Sequence, residues 1–250
     1  MVKIGGLQKI SVIDYPGKLV CTVFLSGCNY ECPTCHAKHI IYGKNKIPEE
    51  DFFNYLDSRK GLIDAIVICG GEPTFQHDLA DFARKIKERG LAVKLDTNGS
   101  DYSLLADLIK KELVDYIALD IKGPPPLYKR LVEKDIDLRD DIEKAIGIIQ
   151  YAPDYEFRTT IVPLYRGENI SFMTPEEAEE MAEWVDKFVF VNPKEIKWYI
   201  QRFVARSKDE MMDENFSEEN LQKELRETPE ELLKEIEKKI KDYFPNCKIR

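Results

Sequence analysis

The sequence has no run of about eighteen apolar residues, so no membrane-spanning helix is expected. Its first residues, Met1-Val2-Lys3-Ile4-Gly5-Gly6, contain no apolar core of signal-peptide length, and a cytoplasmic location is expected. Basic charge is in short supply. Thirty-seven Lys and Arg face 46 Asp and Glu, for a net charge of −9, and no basic stripe stands out. That balance argues against a nucleic-acid partner. Histidine is scarcer still, at three residues. No Ser/His/Asp or Cys/His set suggests itself, which turns attention away from acid–base and nucleophilic catalysis, and His36, His39 and His77 read as incidental. The apolar fraction of 43% over 250 residues is enough for one large domain with a real core, or one domain with an appendage.

What the chain does have is a cluster of thiols. Cys28-Asn29-Tyr30-Glu31-Cys32-Pro33-Thr34-Cys35 places three cysteines within eight residues. In a reducing compartment such spacing reads as a ligand set, not as disulfides. Thiolates select zinc, copper(I) or iron–sulfur clusters. A closed zinc site needs a fourth ligand, which His36 or His39 could supply. Three cysteines in one tight loop more naturally hold three corners of a cubane cluster and leave its fourth iron open to a cofactor or substrate. Cys21 and Cys69 lie in apolar, strand-like runs and read as small buried hydrophobes; Cys247 stands apart.

Around this loop the chain alternates strand and helix. After a short lead-in over residues 1–17, the apolar β-formers Leu19 to Leu25 make a strand buried on both faces. Further strands are expected at 65–69, 92–96, 116–120, 157–162 and 197–204. Helices are expected at 48–60, 78–89, 102–112, 137–150 and 175–186, the last with Thr174 as its N-cap and Pro175 at its first position. Residues 187–191 read as a linker or an extra strand. Six alternations imply parallel strands and right-handed crossovers. Cys28, Glu72, Asp96, Asp120 and Arg158 fall at or near the C-terminal ends of successive strands. Barrels gather their sites on that face from many strands at once. The expected fold is therefore α/β, a partial (βα)6 parallel barrel over residues 1–206. Residues 207–250 differ in composition and read as an acidic helical extension of two amphipathic helices, carrying Leu221, Leu225, Leu232, Leu233 and Ile236. It would serve as a lid or as a docking surface.

The strand ends carry further candidates. Gly70-Gly71-Glu72-Pro73 exposes backbone without Cβ atoms, an edge on which a small zwitterion could lie. Asp96 and Asp120 end neighbouring strands. Two carboxylates about 4 Å apart repel by roughly 4 kcal/mol at an effective dielectric of 20, so a proton, Lys122 or a cation must offset them. Asp96, Thr97 and Asp120 offer hard oxygen donors suited to a hard cation. Arg158, in a strand of otherwise uncharged residues, points to an anion or carboxylate.

The spacing Cys28-x3-Cys32-x2-Cys35 together with Gly70-Gly71-Glu72-Pro73 resembles the radical S-adenosylmethionine superfamily. Asp96-Thr97-Asn98-Gly99 and Asp120-Ile121-Lys122 resemble the glycyl-radical-enzyme activases within it. The stretch from Gly6 to Lys18 is similar to activating proteins of the anaerobic ribonucleoside-triphosphate reductase. The resemblance covers about residues 6–205 and implies a specific set of roles. Cys28, Cys32 and Cys35 would hold a [4Fe–4S] cluster, with S-adenosylmethionine chelated to the fourth iron. Gly70, Gly71, Glu72, Asp96, Asn98, Lys122 and Arg158 would contact the cofactor, and Asp96, Thr97 and Asp120 a monovalent cation. A 5′-deoxyadenosyl radical would then generate a glycyl radical on the partner reductase, with a flavodoxin or ferredoxin as electron donor. Other glycyl-radical enzymes, or a small molecule, are alternative substrates within the superfamily. Outside it stands a zinc-stapled binding module. Two positions depart from the family pattern. Thr34 stands where an aromatic residue usually precedes the third cysteine, and Ala37 where Asn is common. No second cysteine cluster, and hence no auxiliary iron–sulfur centre, is expected.

Overall fold

The computed structural model describes residues 1–43, 46–133 and 138–250. In chain order the elements begin with β1 (Ile4–Ser11), β2 (Val20–Leu25), α1 (Lys38–Tyr42), α2 (Glu49–Ser58), β3 (Ala65–Gly70), α3 (Leu79–Lys87), β4 (Ala92–Thr97), α4 (Tyr102–Lys110) and β5 (Tyr116–Asp120). They continue with α5 (Pro125–Val132), α6 (Arg139–Ile149), β6 (Tyr155–Ile161), β7 (Pro163–Arg166), β8 (Asn169–Phe172), α7 (Pro175–Asp186), β9 (Lys197–Arg202), α8 (Glu230–Lys241) and β10 (Cys247–Ile249). Eight strands form one sheet in the order β1-β2-β3-β4-β5-β6-β9-β10, while β7 and β8 make a separate hairpin. From β2 to β10 every pairing is parallel. This is the expected succession of six strand–helix alternations, opened into a partial barrel and extended by a strand at each edge.

The continuous apolar runs explain the central strands. Val20, Cys21, Val23 and Leu25 on β2 are buried, as are Ile66, Val67 and Ile68 on β3 and Tyr116 to Leu119 on β5. Strands covered on both faces cannot alternate polar and apolar residues, because neither face meets water. The helix over 175–186 forms where its capping chemistry places it. The Thr174 hydroxyl accepts from the Glu177 amide, and the Glu177 carboxylate accepts from the Thr174 amide. The expected helix start at residue 137 lies outside the described residues, and α6 itself runs Arg139–Ile149.

Two readings change, and one open alternative is decided. The lead-in is a strand, β1, which runs antiparallel to β2. Its middle is solvent-facing and its register is irregular, so no clean period marks it. Residues 187–191 are a linker. The side chain of Gln150 occupies its backbone groups, accepting from the Phe190 and Val191 amides and donating to the Phe188 carbonyl, so no strand neighbour is needed. Of the two helices expected beyond residue 206 only the second, α8, forms. The stretch before it holds two short 3-10 turns, Glu214–Phe216 and Lys223–Leu225. There the Asp213 carboxylate accepts from the Asn215 amide at 2.9 Å, and local side-chain bonds of this kind compete with a continuous helix.

The end of the chain is part of the core. α8 packs on α7, and β10 pairs with β9. Phe244 is fully buried, with its ring 5.0 Å from that of Trp198 and 6.4 Å from that of Phe157. Phe244→Ala is expected to lower the stability to urea by about 3–5 kcal/mol, the usual loss for truncating a buried aromatic. A loss below about 1 kcal/mol would mean that this edge is peripheral to folding.

Candidate metal and cofactor site

The cysteine loop leaves the C-terminal end of β2 and is held there by the neighbouring strand. The Gly71 amide donates to the Leu25 carbonyl and the Glu72 amide to the Gly27 carbonyl, both at 2.9 Å. The two chains approach so closely that a Cβ on Gly70 would lie 2.3 Å from the Leu25 nitrogen and oxygen, and one on Gly71 would lie 1.9 Å from the Gly27 oxygen. Gly70 also has φ near +127°, a conformation that side chains rarely adopt. The glycine pair is thus required by this close approach as well as by whatever lies in the cavity. An ammonium group, being only a donor, would be met on this edge by carbonyls.

All three loop cysteines are free thiols and partly buried. The Tyr30 amide points at the Cys28 sulfur and the Ala37 amide at the Cys35 sulfur, both at 3.4 Å. The Cys35 amide closes a turn onto the Cys32 carbonyl at 3.0 Å. Burial pushes the Cys28 thiol up to about 12 and the Cys32 thiol up to about 11. Left alone these groups stay neutral, and a bound metal supplies the positive charge that deprotonates them. Among the described residues no three His, Cys, Asp or Glu side chains are grouped tightly enough to hold a single ion. The three thiols line one cavity, and soft thiolate donors suit an iron–sulfur group. The Tyr30 hydroxyl adds a second sign of fit. It is buried, on a residue 2% exposed, and it has no partner, although buried polar groups are nearly always paired.

Behind the loop lies a row of alternating charge. The Lys94 ammonium bonds Asp96 at 2.5 Å, and Arg158 bonds Asp96 at 2.6 Å. Arg158 also reaches Asp120 at 2.9 Å, and Lys122 bonds Asp120 at 3.1 Å. The two carboxylates are therefore neutralised by three cations of the chain itself. This pairing involves the three residues of the expected monovalent-cation site. Arg158 bridges Asp96 and Asp120, and the Thr97 hydroxyl points away to Glu72 at 2.7 Å, so Asp96, Thr97 and Asp120 do not converge. Burial alone would raise the Asp120 pKa, but the charges of Arg158 and Lys122 outweigh it and hold the carboxyl down at about 2. The Lys122 ammonium is desolvated too, yet Asp120 and then Cys32 raise its pKa.

Glu72 is a clamp within the protein. One carboxylate oxygen accepts from the Thr74 amide, the Thr74 hydroxyl and the Thr97 hydroxyl, and the other accepts from the Asn98 amide at 2.7 Å. Burial raises its pKa against the opposing effect of these donors. Asn98 in turn donates to the Asn29 side chain at 3.0 Å, tying the end of β4 to the cysteine loop. Both residues were expected to touch a cofactor. The structure uses their polar atoms to align the loops and leaves both on the cavity wall.

The cavity itself holds about 610 Å³. It gathers the three loop cysteines, Gly70, Gly71, Glu72, Asp96, Thr97, Asn98, Asp120, Lys122 and Arg158, which are all the expected site residues. Sequence reasoning missed the rest of the wall. Cys69 faces the cavity and is not fully buried, and Phe203, Val204 and Arg206 close one side from beyond β9.

The family model described as the Radical SAM superfamily matches residues 22–185. A protein of Methanocaldococcus jannaschii, provisionally described as a glycyl-radical enzyme activating enzyme, is 36% identical over 99% of this chain and 95% of its own length. A second protein of that organism with the same description is 34% identical over 48% of this chain and 45% of its own. Among solved structures, Streptococcus suis SuiB bound to S-adenosylmethionine shares the fold with a TM-score of 0.58 at 15% identity, covering 90% of this chain and 48% of that one.

The charge row makes a pH-dependent prediction. Asp120 has a folded pKa of about 2 against an ordinary value of 3.8. Its ionised form therefore contributes about 2 kcal/mol of stability, complete above about pH 4 and lost as the pH falls through about 2. Urea melts of wild type and Asp120→Asn should differ most near neutrality and converge in acid. A gap independent of pH would show that the carboxylate charge is not what stabilises the row.

Proposed function

Because the chain belongs to the radical S-adenosylmethionine superfamily, we propose that it activates a glycyl-radical enzyme by removing a hydrogen atom from a glycine Cα of that partner, and that the partner is an anaerobic ribonucleoside-triphosphate reductase. Enzymes of this superfamily use a [4Fe–4S] cluster and S-adenosylmethionine. The observation that carries the reading is the grouping, around one cavity, of three unpaired loop thiols with the glycine edge and the charged row. The full-length similarity to a protein described as an activating enzyme supports the class of partner. The stretch from Gly6 to Lys18, which resembles reductase activating proteins, supports the particular one.

Each residue has a task in this proposal. Cys28, Cys32 and Cys35 hold the cluster, and the amides aimed at two of their sulfurs favour the thiolate forms. The carbonyls of Gly70 and Gly71 receive the cofactor's ammonium. Arg158 and Lys122 offer cationic groups for its carboxylate and ribose, while Asp96 and Asp120 keep those cations in place. Glu72 and Asn98 position the loops. When bound, the cluster and S-adenosylmethionine supply one electron and a carbon radical able to take hydrogen from a glycine. A flavodoxin or ferredoxin is the proposed electron donor.

Anaerobic reconstitution with iron and sulfide is expected to give about four irons per chain in wild type and a colourless protein in Cys32→Ala. With dithionite and S-adenosylmethionine, wild type should form 5′-deoxyadenosine, and Cys32→Ala should not. Co-incubation with the reductase should give the electron paramagnetic resonance doublet of a glycyl radical. Formation of 5′-deoxyadenosine without that doublet would move the substrate to another glycyl-radical enzyme or to a small molecule. One zinc per chain and no product would end the reading.

A further inference from the structure

The segment between β9 and α8 meets the cysteine loop through its backbone. The Met212 amide donates to the Cys35 carbonyl at 2.8 Å, and the Asp213 amide donates to the Pro33 carbonyl at 3.1 Å. On its other flank the loop is held by the Glu31 amide on the Val132 carbonyl at the end of α5, at 3.1 Å. The half of the loop that carries Cys35 is thus secured from a part of the chain about 180 residues away.

The segment is itself anchored. One Asp213 carboxylate oxygen accepts from the Tyr165 hydroxyl of β7 at 2.7 Å, and the Asn215 side chain donates to the same hydroxyl at 3.0 Å. The Tyr165 ring meets that of Phe216 edge-on at 4.9 Å. Phe216 and Met211 are fully buried, so the strap is pinned on both sides of the two amides it contributes. Seen as sequence, this acidic stretch suggested a lid or a docking surface. Seen as structure, its short turns present consecutive N–H groups to two carbonyls of the ligand loop, which a regular helix would have used internally.

We propose that residues 207–217 are a positioning strap for the cysteine loop, latched by the Asp213–Tyr165 hydrogen bond, and that the latch sets how firmly the loop keeps its metal. Groups that orient ligands from outside the coordination sphere commonly change metal retention by tenfold or more. The metal part of this inference rests on the cluster reading above. The loop-ordering part does not.

Two measurements on the full-length protein test it. In metal-free protein, Tyr165→Phe keeps the ring against Phe216 and removes only the hydroxyl. Amide exchange at Cys35, Met212 and Asp213 should accelerate about tenfold in this variant and in Asp213→Ala, with the thermal midpoint close to wild type. In reconstituted protein, release of iron to a chelator should be about tenfold faster in each variant. The double variant should fall well short of the product of the two single effects, because both changes open the Asp213–Tyr165 bond. Unchanged exchange and unchanged iron release would overturn the proposal. So would additive effects, or a fall in thermal midpoint that accounts for the faster exchange. If wild type takes up no iron, the cluster reading fails, and the exchange measurement still decides the strap.

Discussion

The site depends on how closely two neighbouring strand ends approach. β2 and β3 run in parallel register from Val20↔Ala65 to Leu25↔Gly70, and their chains then stay in contact past the end of the ladder. Gly71 and Glu72 donate back to Leu25 and Gly27, with no space for a side-chain carbon between them. That contact sets the point from which the thiol loop departs and puts Glu72 within reach of the next strand end. From Glu72 the connection runs to Thr97 and Asn98, and from Asn98 back to Asn29 in the loop. Three loops are thereby held in one arrangement by hydrogen bonds around a single buried carboxylate.

The second support is electrostatic. Lys94 is almost wholly buried, and Arg158 is mostly so. Burying either charge alone would be expensive, and a paired charge breaks even only when its partners are well placed. Here each cation has a carboxylate within 3.1 Å, and each carboxylate has two cations. The row crosses β4, β5 and β6, so it holds the strand spacing at the cavity as well as its charge. The parallel register places Asp120 directly beside Arg158. The five groups sum to one positive charge, a suitable lining for a cofactor carboxylate.

Much of this is legible in the sequence. Apolar runs without alternation marked the parallel strands, and Thr174-Pro175 with Glu177 marked the start of α7. Chemistry-bearing residues fell at strand ends because that is where a parallel barrel opens. The pairing among those residues was not legible. That Arg158 would bridge the two aspartates is a matter of cross-strand register, which loop lengths do not reveal. The N-terminal strand was hidden because much of it faces solvent, including the exposed Ile10. The stretch before α8 has leucines at helical spacing, yet it forms no continuous helix because Asp213 and Ser217 satisfy the backbone locally. Cys69 was read from its apolar neighbours as core. It pairs with Phe24 near the end of β3, where the core gives way to the cavity.

The bonds from Met212 and Asp213 to Cys35 and Pro33 also bear on the order of biogenesis. A ribosome delivers the thiol loop early, with its carbonyl acceptors still waiting for donors encoded far downstream. Until residue 213 has emerged and folded back, these two bonds to the C-terminal half of the loop cannot form. The carbonyls of Cys35 and Pro33 thus meet these donors only after residues 212 and 213 have been synthesised.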